Sequence, residues 1–177
     1  EKISIVMPSY NKVDFIERSI LSVLNQNYPN IELIIIDGGS TDGTVEIIKK
    51  YNQYITFWIS EKDQGQSDAL NKGFKHCTGS IYGFLNSDDV YLPDAFKCAS
   101  LVLEKNLDKK VVFGDWLSID KKDVIIDYNH AFDFNLNHFK YEGFHLSATS
   151  MFWRSEVHKR FSGFDNNLYY TMDYQLI

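Results

Sequence analysis

The sequence predicts an α/β fold: a mostly parallel sheet flanked by helices, with an added antiparallel hairpin. Three observations point there. Short apolar runs alternate with helix-period segments through the first half, one run is apolar almost throughout, and a pair of adjacent carboxylates ends the fourth run. Near-continuous apolar strands belong to parallel sheets, whose two faces are both covered by helices.

Residues 3–7 read as a buried strand, followed by a helix in which Ile16, Ile20, Val23 and Leu24 recur at i, i+4, i+7 and i+8. Residues 31–36 are the near-continuous apolar strand, and Val45, Ile47, Ile48 and Tyr51 mark the next helix. Residues 56–60 form a third strand, 66–77 a helix with Ala69, Leu70, Phe74 and Cys77 inward, and 81–85 a fourth strand. Residues 93–106 are another helix, with Pro93 near its first turn, where a missing N–H costs nothing. After Val111 the pattern changes to short strands at 111–113, 116–119 and 124–128. The last two are joined by the polar turn 120–123 and read as a hairpin. Residues 129–144 have weak periodicity and read as loop or short helix. A strand at 149–153 and a capped helix at 155–161 follow, and Thr171 is placed to cap a last helix. Because the sequence stops just inside that helix, 1–177 is expected to be a single domain truncated at its C-terminal end.

Composition excludes several classes. At 44% hydrophobic and 15% aromatic with 3 Pro, the chain can bury a core. A net charge of -6 without a Lys/Arg block argues against nucleic acid as a partner. Cys77 and Cys98 have no paired spacing, and His76, His130, His138, His145 and His158 show no H-x-x-x-H or Cys-paired spacing, so neither a disulfide framework nor a zinc site is expected. No apolar run approaches the roughly 20 residues a bilayer-spanning helix needs. A cytoplasmic location is expected, at the inner face of the membrane if segments beyond Ile177 supply a peripheral anchor.

The chemistry concentrates at predicted strand ends. Phe84-Leu85-Asn86-Ser87-Asp88-Asp89 places two carboxylates where open α/β sheets bind ligands. Hard divalent cations are held by one or two carboxylates plus a substrate's phosphates, so the pair suggests a metal and a diphosphate. The plain alternative is a turn whose Asp side chains satisfy backbone donors. The second strand ends in Asp37-Gly38-Gly39-Ser40-Thr41-Asp42-Gly43-Thr44. It is no Walker A loop, since Thr44-Val45 stands where Lys-Ser/Thr is required, and Ser40 or Thr41 can simply cap the next helix. A dinucleotide fingerprint is absent as well, because Met7-Pro8-Ser9-Tyr10-Asn11 follows the first strand instead.

Together with Glu61-Lys62-Asp63-Gln64-Gly65-Gln66-Ser67-Asp68-Ala69-Leu70-Asn71-Lys72-Gly73 these segments resemble the family 2 glycosyltransferases, inverting enzymes of the GT-A fold. Phe152-Trp153-Arg154-Ser155, Gly163-Phe164-Asp165 and Met172-Asp173-Tyr174 extend the likeness, which is nearest to bacterial enzymes of capsule, lipopolysaccharide and other surface glycans. The resemblance implies a nucleoside-diphosphate sugar donor, UDP-linked, and a glycan or lipid-linked glycan acceptor. It places the base and ribose against Pro8, Ser9, Tyr10, Asp37 and Asp63. A carboxylate such as Asp37 accepts the imide N–H of uracil, while Tyr10 packs on the base or fills the core. Asp68 joins the donor residues or caps its helix. Asp88 and Asp89 match the family's DXD-type motif: the first would reach ribose or metal, the second would hold Mg²⁺ or Mn²⁺.

Asp173 is implied as the base that takes the acceptor's proton, although Met172 stands where an acidic residue often precedes it and a helix-capping role competes. His145 falls where the family meets its acceptor, and Phe132, Phe134, Phe139, Tyr141 and Phe144 are expected in the core rather than against acceptor sugar. Two competing functions remain. A sugar-1-phosphate nucleotidyltransferase would need a glycine-rich basic loop after the first strand, which residues 7–12 lack, and a non-catalytic nucleotide-sugar or glycan-binding module would bind without transfer.

Overall fold

The computed structural model describes residues 1–135, 137, 141, 146–160 and 163–168. Its main sheet has six strands in the order β3-β2-β1-β4-β8-β5, where β1 is Ile3–Ser9, β2 Ile31–Asp37, β3 Phe57–Ser60, β4 Ile81–Phe84, β5 Val111–Phe113 and β8 Met151–Arg154. The helices are α1 Ile16–Leu24, α2 Thr44–Lys50, α3 Gln66–Phe74, α4 Ala95–Lys105 and α5 Ser155–Arg160. Strands β1 to β4 are mutually parallel, as the alternation of apolar runs and helices predicts.

The period-2 alternation of side chains splits the core into two layers. Ile3, Ile5 and Met7 of β1 and Leu33 and Ile35 of β2 face one way, onto Ile16, Ile20 and Val23 of α1 and Phe96, Ala99 and Leu103 of α4. Val6, Ile34 and Ile36 face the other way, onto Ala69, Leu70 and Phe74 of α3. Burial on both faces is why β1 and β2 read as continuous apolar sequence. Helix α3 lies very close to the sheet: a Cβ on Gly73 would stand 2.3 Å from Val6 Cγ1 and 3.3 Å from Ile36 Cγ1.

The hairpin is present as β6 (Trp116–Ile119) and β7 (Ile125–Asn129), but it forms a separate two-stranded sheet. The antiparallel member of the main sheet is β8, paired with β4 on one side and β5 on the other. Its direction follows from connectivity. Strand β5 runs parallel to β1, so the chain leaves it at the carboxyl edge, forms the hairpin there, and must return antiparallel.

Three of the five aromatics expected in the core are on the surface instead: Phe132, Phe134 and Tyr141 are 69, 50 and 84% exposed. They lie in the weakly periodic stretch; Phe139 and Phe144 lie outside the described residues. The final helix announced by Thr171 also lies outside them.

At the amino edge of the sheet one buried carboxylate joins three segments. Glu32 of β2 accepts hydrogen bonds from Lys2 Nζ at 2.8 Å, Ser4 Oγ at 2.5 Å and the Thr78 N–H at 2.8 Å. Burial opposes its ionisation, yet these donors outweigh burial and hold its pKa at about 2. The folded-state pKa lies below the unfolded one, so this stability is present above about 4.5 and lost as pH falls toward 2. Glu32→Gln is therefore expected to cost about 2 kcal/mol at neutral pH. Urea denaturation at pH 7 and pH 3 checks it: the cost should shrink at the lower pH.

Candidate functional site

Register brings the sheet's carboxyl ends to one level. Ser9 of β1 is paired with Asp37 of β2, and Asp37 with Ser60 of β3. Beyond β4 the Leu85 N–H still bonds to Val6 O at 3.0 Å, which delivers residues 86–89 above the end of β1. A cavity of about 570 Å³ opens over these ends. Of the donor residues expected from the sequence, Pro8, Ser9, Tyr10, Asp63 and Asp88 line it.

Tyr10 is 60% exposed, so its ring belongs to the cavity rim and not to the core. Ser9 is the opposite: its Oγ is buried and has no hydrogen-bond partner among the described residues. A buried hydroxyl without a partner is costly in a folded protein, and its place in the cavity wall suits a ligand's polar group. Asp63 leans across the second strand's end. A Cβ on Gly38 would stand 2.9 Å from Asp63 Oδ2, so any larger residue there would push this carboxylate aside. Its Oδ1 accepts the Gly65 N–H at 2.9 Å, which fixes the turn into α3.

Two expected donor residues stand elsewhere. Asp37 is fully buried beneath the cavity. Its Oδ2 accepts the Gly39 and Ser40 N–H groups at 3.1 and 2.8 Å and Ser60 Oγ at 2.6 Å, and Ser40 Oγ donates to Oδ1. Four protein donors match the roughly four acceptor sites of a carboxylate. Asp68 is absent from the cavity lining: it accepts the Gln64 N–H at 3.1 Å and pairs with Lys72 at 3.2 Å. Asp68 thus sits in the first turn of α3, where an anion is favoured by the helix dipole, and ties the loop before the helix to it.

The adjacent carboxylates part company. Asp88 faces the cavity, and Lys12 Nζ lies 2.6 Å from its Oδ2. Asp89, expected to hold metal, is half-buried and does not line that cavity; its Oδ2 accepts Asn86 Nδ2 and Thr149 Oγ1, both at 3.0 Å. Burial pushes its carboxyl above the usual range, and the Asp88 charge adds to this, against the two hydrogen bonds and the Lys12 charge. Asn86, Ser87 and Asp88 line the first cavity in succession, whereas Asp89, whose N–H closes a turn back onto Asn86 O at 3.0 Å, does not. Gln66 Nε2 donates to Asn86 Oδ1 at 2.6 Å and completes the chain from α3 to Thr149. A second, larger cavity of about 980 Å³ adjoins, walled by Asp88 and Asp89 with Phe113, Trp116, Leu117 and Thr149. Asp88 thus stands between the two.

Lys12, Asn86 and Thr149 carried no assigned role in the sequence reading. The i, i+2 spacing of Asn86 and Asp88 was the available signal for one of them; Thr149 arrives from a distant segment and had none. Asn71 was missed as well. Its Nδ2 donates to Phe164 O and its Oδ1 accepts the Phe164 N–H, both at 2.8 Å, which ties the segment leading toward Asp173 onto α3. Asp173 itself and His145 lie outside the described residues. Among the described residues no group of three or more His, Cys, Asp or Glu could hold a metal ion, and no helix is long and apolar enough to cross a membrane.

Residues 4–161 match the glycosyl transferase family 2 profile, and the chain belongs to that family. An uncharacterised glycosyltransferase of Rickettsia typhi is 32% identical over 187 residues, covering 98% of this chain and 57% of its own length. TuaG of Bacillus subtilis, named for teichuronic acid biosynthesis, is 39% identical over 95 residues, 52% of this chain and 38% of its own. Among solved structures, S. aureus TarS 1-349 in complex with UDP superposes with a TM-score of 0.74 at 18% identity, covering 98% of this chain and 53% of that one. The mannosyltransferase PcManGT of Pyrobaculum calidifontis, in complex with GDP-Man and Mn2+, gives 0.68 at 18% identity, covering 94% and 48%. These likenesses establish the GT-A fold. The chain spans little more than half the length of the Rickettsia relative.

The contact between Gly38 and Asp63 makes a prediction about the site's construction. Gly38→Ala should displace the Asp63 carboxylate and its bond to the Gly65 N–H, at a cost of about 1 kcal/mol or less. In urea denaturation the same change in an Asp63→Ala background should cost clearly less; equal costs would mean that the two residues are not coupled.

Proposed function

We propose that residues 1–177 are the catalytic domain of an inverting, metal-dependent glycosyltransferase. It would move a sugar from a UDP-linked donor to a hydroxyl of a glycan or lipid-linked glycan in bacterial surface-polysaccharide synthesis, at the cytoplasmic side of the membrane. The observation that carries the reading is one cavity at the ends of parallel strands that joins an exposed aromatic ring, Tyr10, to carboxylates at both ends, Asp63 and Asp88. UDP in the TarS complex, GDP-Man and Mn2+ in PcManGT, and the biosynthetic name of TuaG support it.

The Tyr10 ring offers a face for the base, and Asp63 an acceptor for an imide N–H. Asp37 would support the site from beneath, by holding the turn that carries Gly38 and Ser40. The unpartnered Ser9 hydroxyl and Asn86 are placed for ribose or phosphate oxygens. A hard cation such as Mg²⁺ or Mn²⁺ suits this donor set, because such ions take one or two carboxylates and complete their shell with phosphates and water. Asp88 would hold it; Asp89, turned inward, would keep Asn86 and the strand end in place. Bound there, the cation would supply Lewis-acid neutralisation of the charge developing on the leaving diphosphate.

The acceptor oxygen would attack the anomeric carbon as the bond to the diphosphate breaks, with no covalent sugar-enzyme intermediate. Asp173 remains the candidate base, accepting the hydroxyl proton during attack. The second cavity, entered beside Asp88, is the natural approach for the acceptor.

Two substitutions separate the roles when made in the full-length protein. Asp88→Asn is expected to weaken Mn²⁺-dependent UDP binding at least about tenfold. Asp173→Asn should leave UDP affinity within about threefold and lower transfer by about 10²–10⁴. Calorimetry and a UDP-release assay read the two quantities. Full transfer by Asp173→Asn would remove the base assignment, and wild-type binding without transfer to any acceptor would favour a binding module.

A further inference from the structure

We infer that Lys12 is a diphosphate-binding residue held in reserve: it neutralises Asp88 until the donor arrives, then releases that carboxylate and turns to the diphosphate. The inference rests on the donor reading above. Lys12 and Asp88 line the same cavity, with Nζ 2.6 Å from Oδ2. Their side chains are 36 and 40% exposed, and an ion pair so open to water contributes little to stability. The pair's importance therefore lies in where the charges stand.

The root of Lys12 is fixed while its end is free to move. The Lys12 N–H donates to Thr44 Oγ1 at 2.8 Å, and its carbonyl accepts the Phe15 and Ile16 N–H groups at 3.0 and 2.9 Å. These bonds anchor the backbone between β1 and α1 without touching the side chain. A lysine stem rooted this way presents a compact charge with three rotatable donors, which can change partner without moving the backbone.

Charge balance gives the exchange a direction. With Lys12 on Asp88, a bare divalent cation must compete with an ammonium for the same carboxylate. A nucleoside diphosphate alters the competition, because its phosphates offer the ammonium a second anionic partner and supply the cation with further oxygen ligands. Lys12 thus opposes cation binding in the absence of nucleotide and favours nucleotide binding in its presence.

Opposite signs in two measurements test this. Lys12→Met and Lys12→Arg would be compared with wild type for Mn²⁺ alone, by electron paramagnetic resonance, and for UDP at saturating Mn²⁺, by calorimetry. Lys12→Met is expected to tighten Mn²⁺ alone by about three- to tenfold, because Asp88 loses its competitor, and to weaken UDP by about tenfold. Lys12→Arg, which keeps the charge, should hold UDP affinity within about threefold. A structural role alone would weaken both or neither. The proposal is overturned if Lys12→Met leaves Mn²⁺ affinity unchanged or lower, or leaves UDP affinity unchanged. If wild type binds no UDP at any Mn²⁺ concentration, the donor reading falls and takes the diphosphate role of Lys12 with it. Tightened Mn²⁺ binding by Lys12→Met would in that case still identify the competition at Asp88.

Discussion

The site depends on a carboxylate sealed beneath it. Asp37 is the last residue of β2, wholly buried, and four protein donors satisfy its carboxyl oxygens. Those donors come from the turn that follows β2 and from Ser60 at the end of β3. The Ser40 hydroxyl that donates to Asp37 also accepts the Asn11 N–H at 2.8 Å, so the loop after β1 is drawn into the same knot. Backbone bonds repeat the pattern: Gly38 N–H to Ser9 O at 2.8 Å and Glu61 N–H to Asp37 O at 2.9 Å. Three strand ends are thereby held at one level, and Tyr10, Lys12, Gly38 and Asp63 inherit their positions from that alignment.

From this base the two adjacent carboxylates diverge in their surroundings. The turn that follows β4 carries Asp88 to the first cavity and Asp89 toward Asn86 and Thr149. The outward carboxylate keeps a cationic neighbour and access to water, as a group that meets a charged ligand requires. Asp89 is half-buried, on the side of the second cavity, and hydrogen-bonded to Asn86 and Thr149. Through Asn86 and Gln66 it connects the start of α3, the turn after β4 and the approach to β8.

What the sequence disclosed and what it withheld follow from the range of the forces involved. Burial on both faces makes β1 and β2 unmistakable, and helical spacing of Ile16, Ile20 and Val23 marks α1, since both patterns are written in neighbouring residues. The antiparallel direction of β8 and the detachment of the hairpin depend on connectivity across distant segments, which periodicity does not encode. The same distinction runs through the site. Pro8, Ser9, Tyr10, Asp63 and Asp88 were legible because motif and strand-end position coincide. The burial of Asp37, the first-turn placement of Asp68 and the inward turn of Asp89 required side-chain partners from other elements. Phe132, Phe134 and Tyr141 show the limit of composition: apolar residues need a facing surface before they become core.

The account stands on one spatial claim, that the cavity over the ends of β1, β2 and β4 is where a nucleotide binds. A crystal structure of the protein with UDP and Mn²⁺ tests it most directly. The base is expected against Tyr10 and Asp63, the diphosphate between Asn86 and Asp88, and the cation on Asp88. Nucleotide seated instead in the cavity walled by Phe113 and Trp116, or a cation bound away from Asp88, would contradict it.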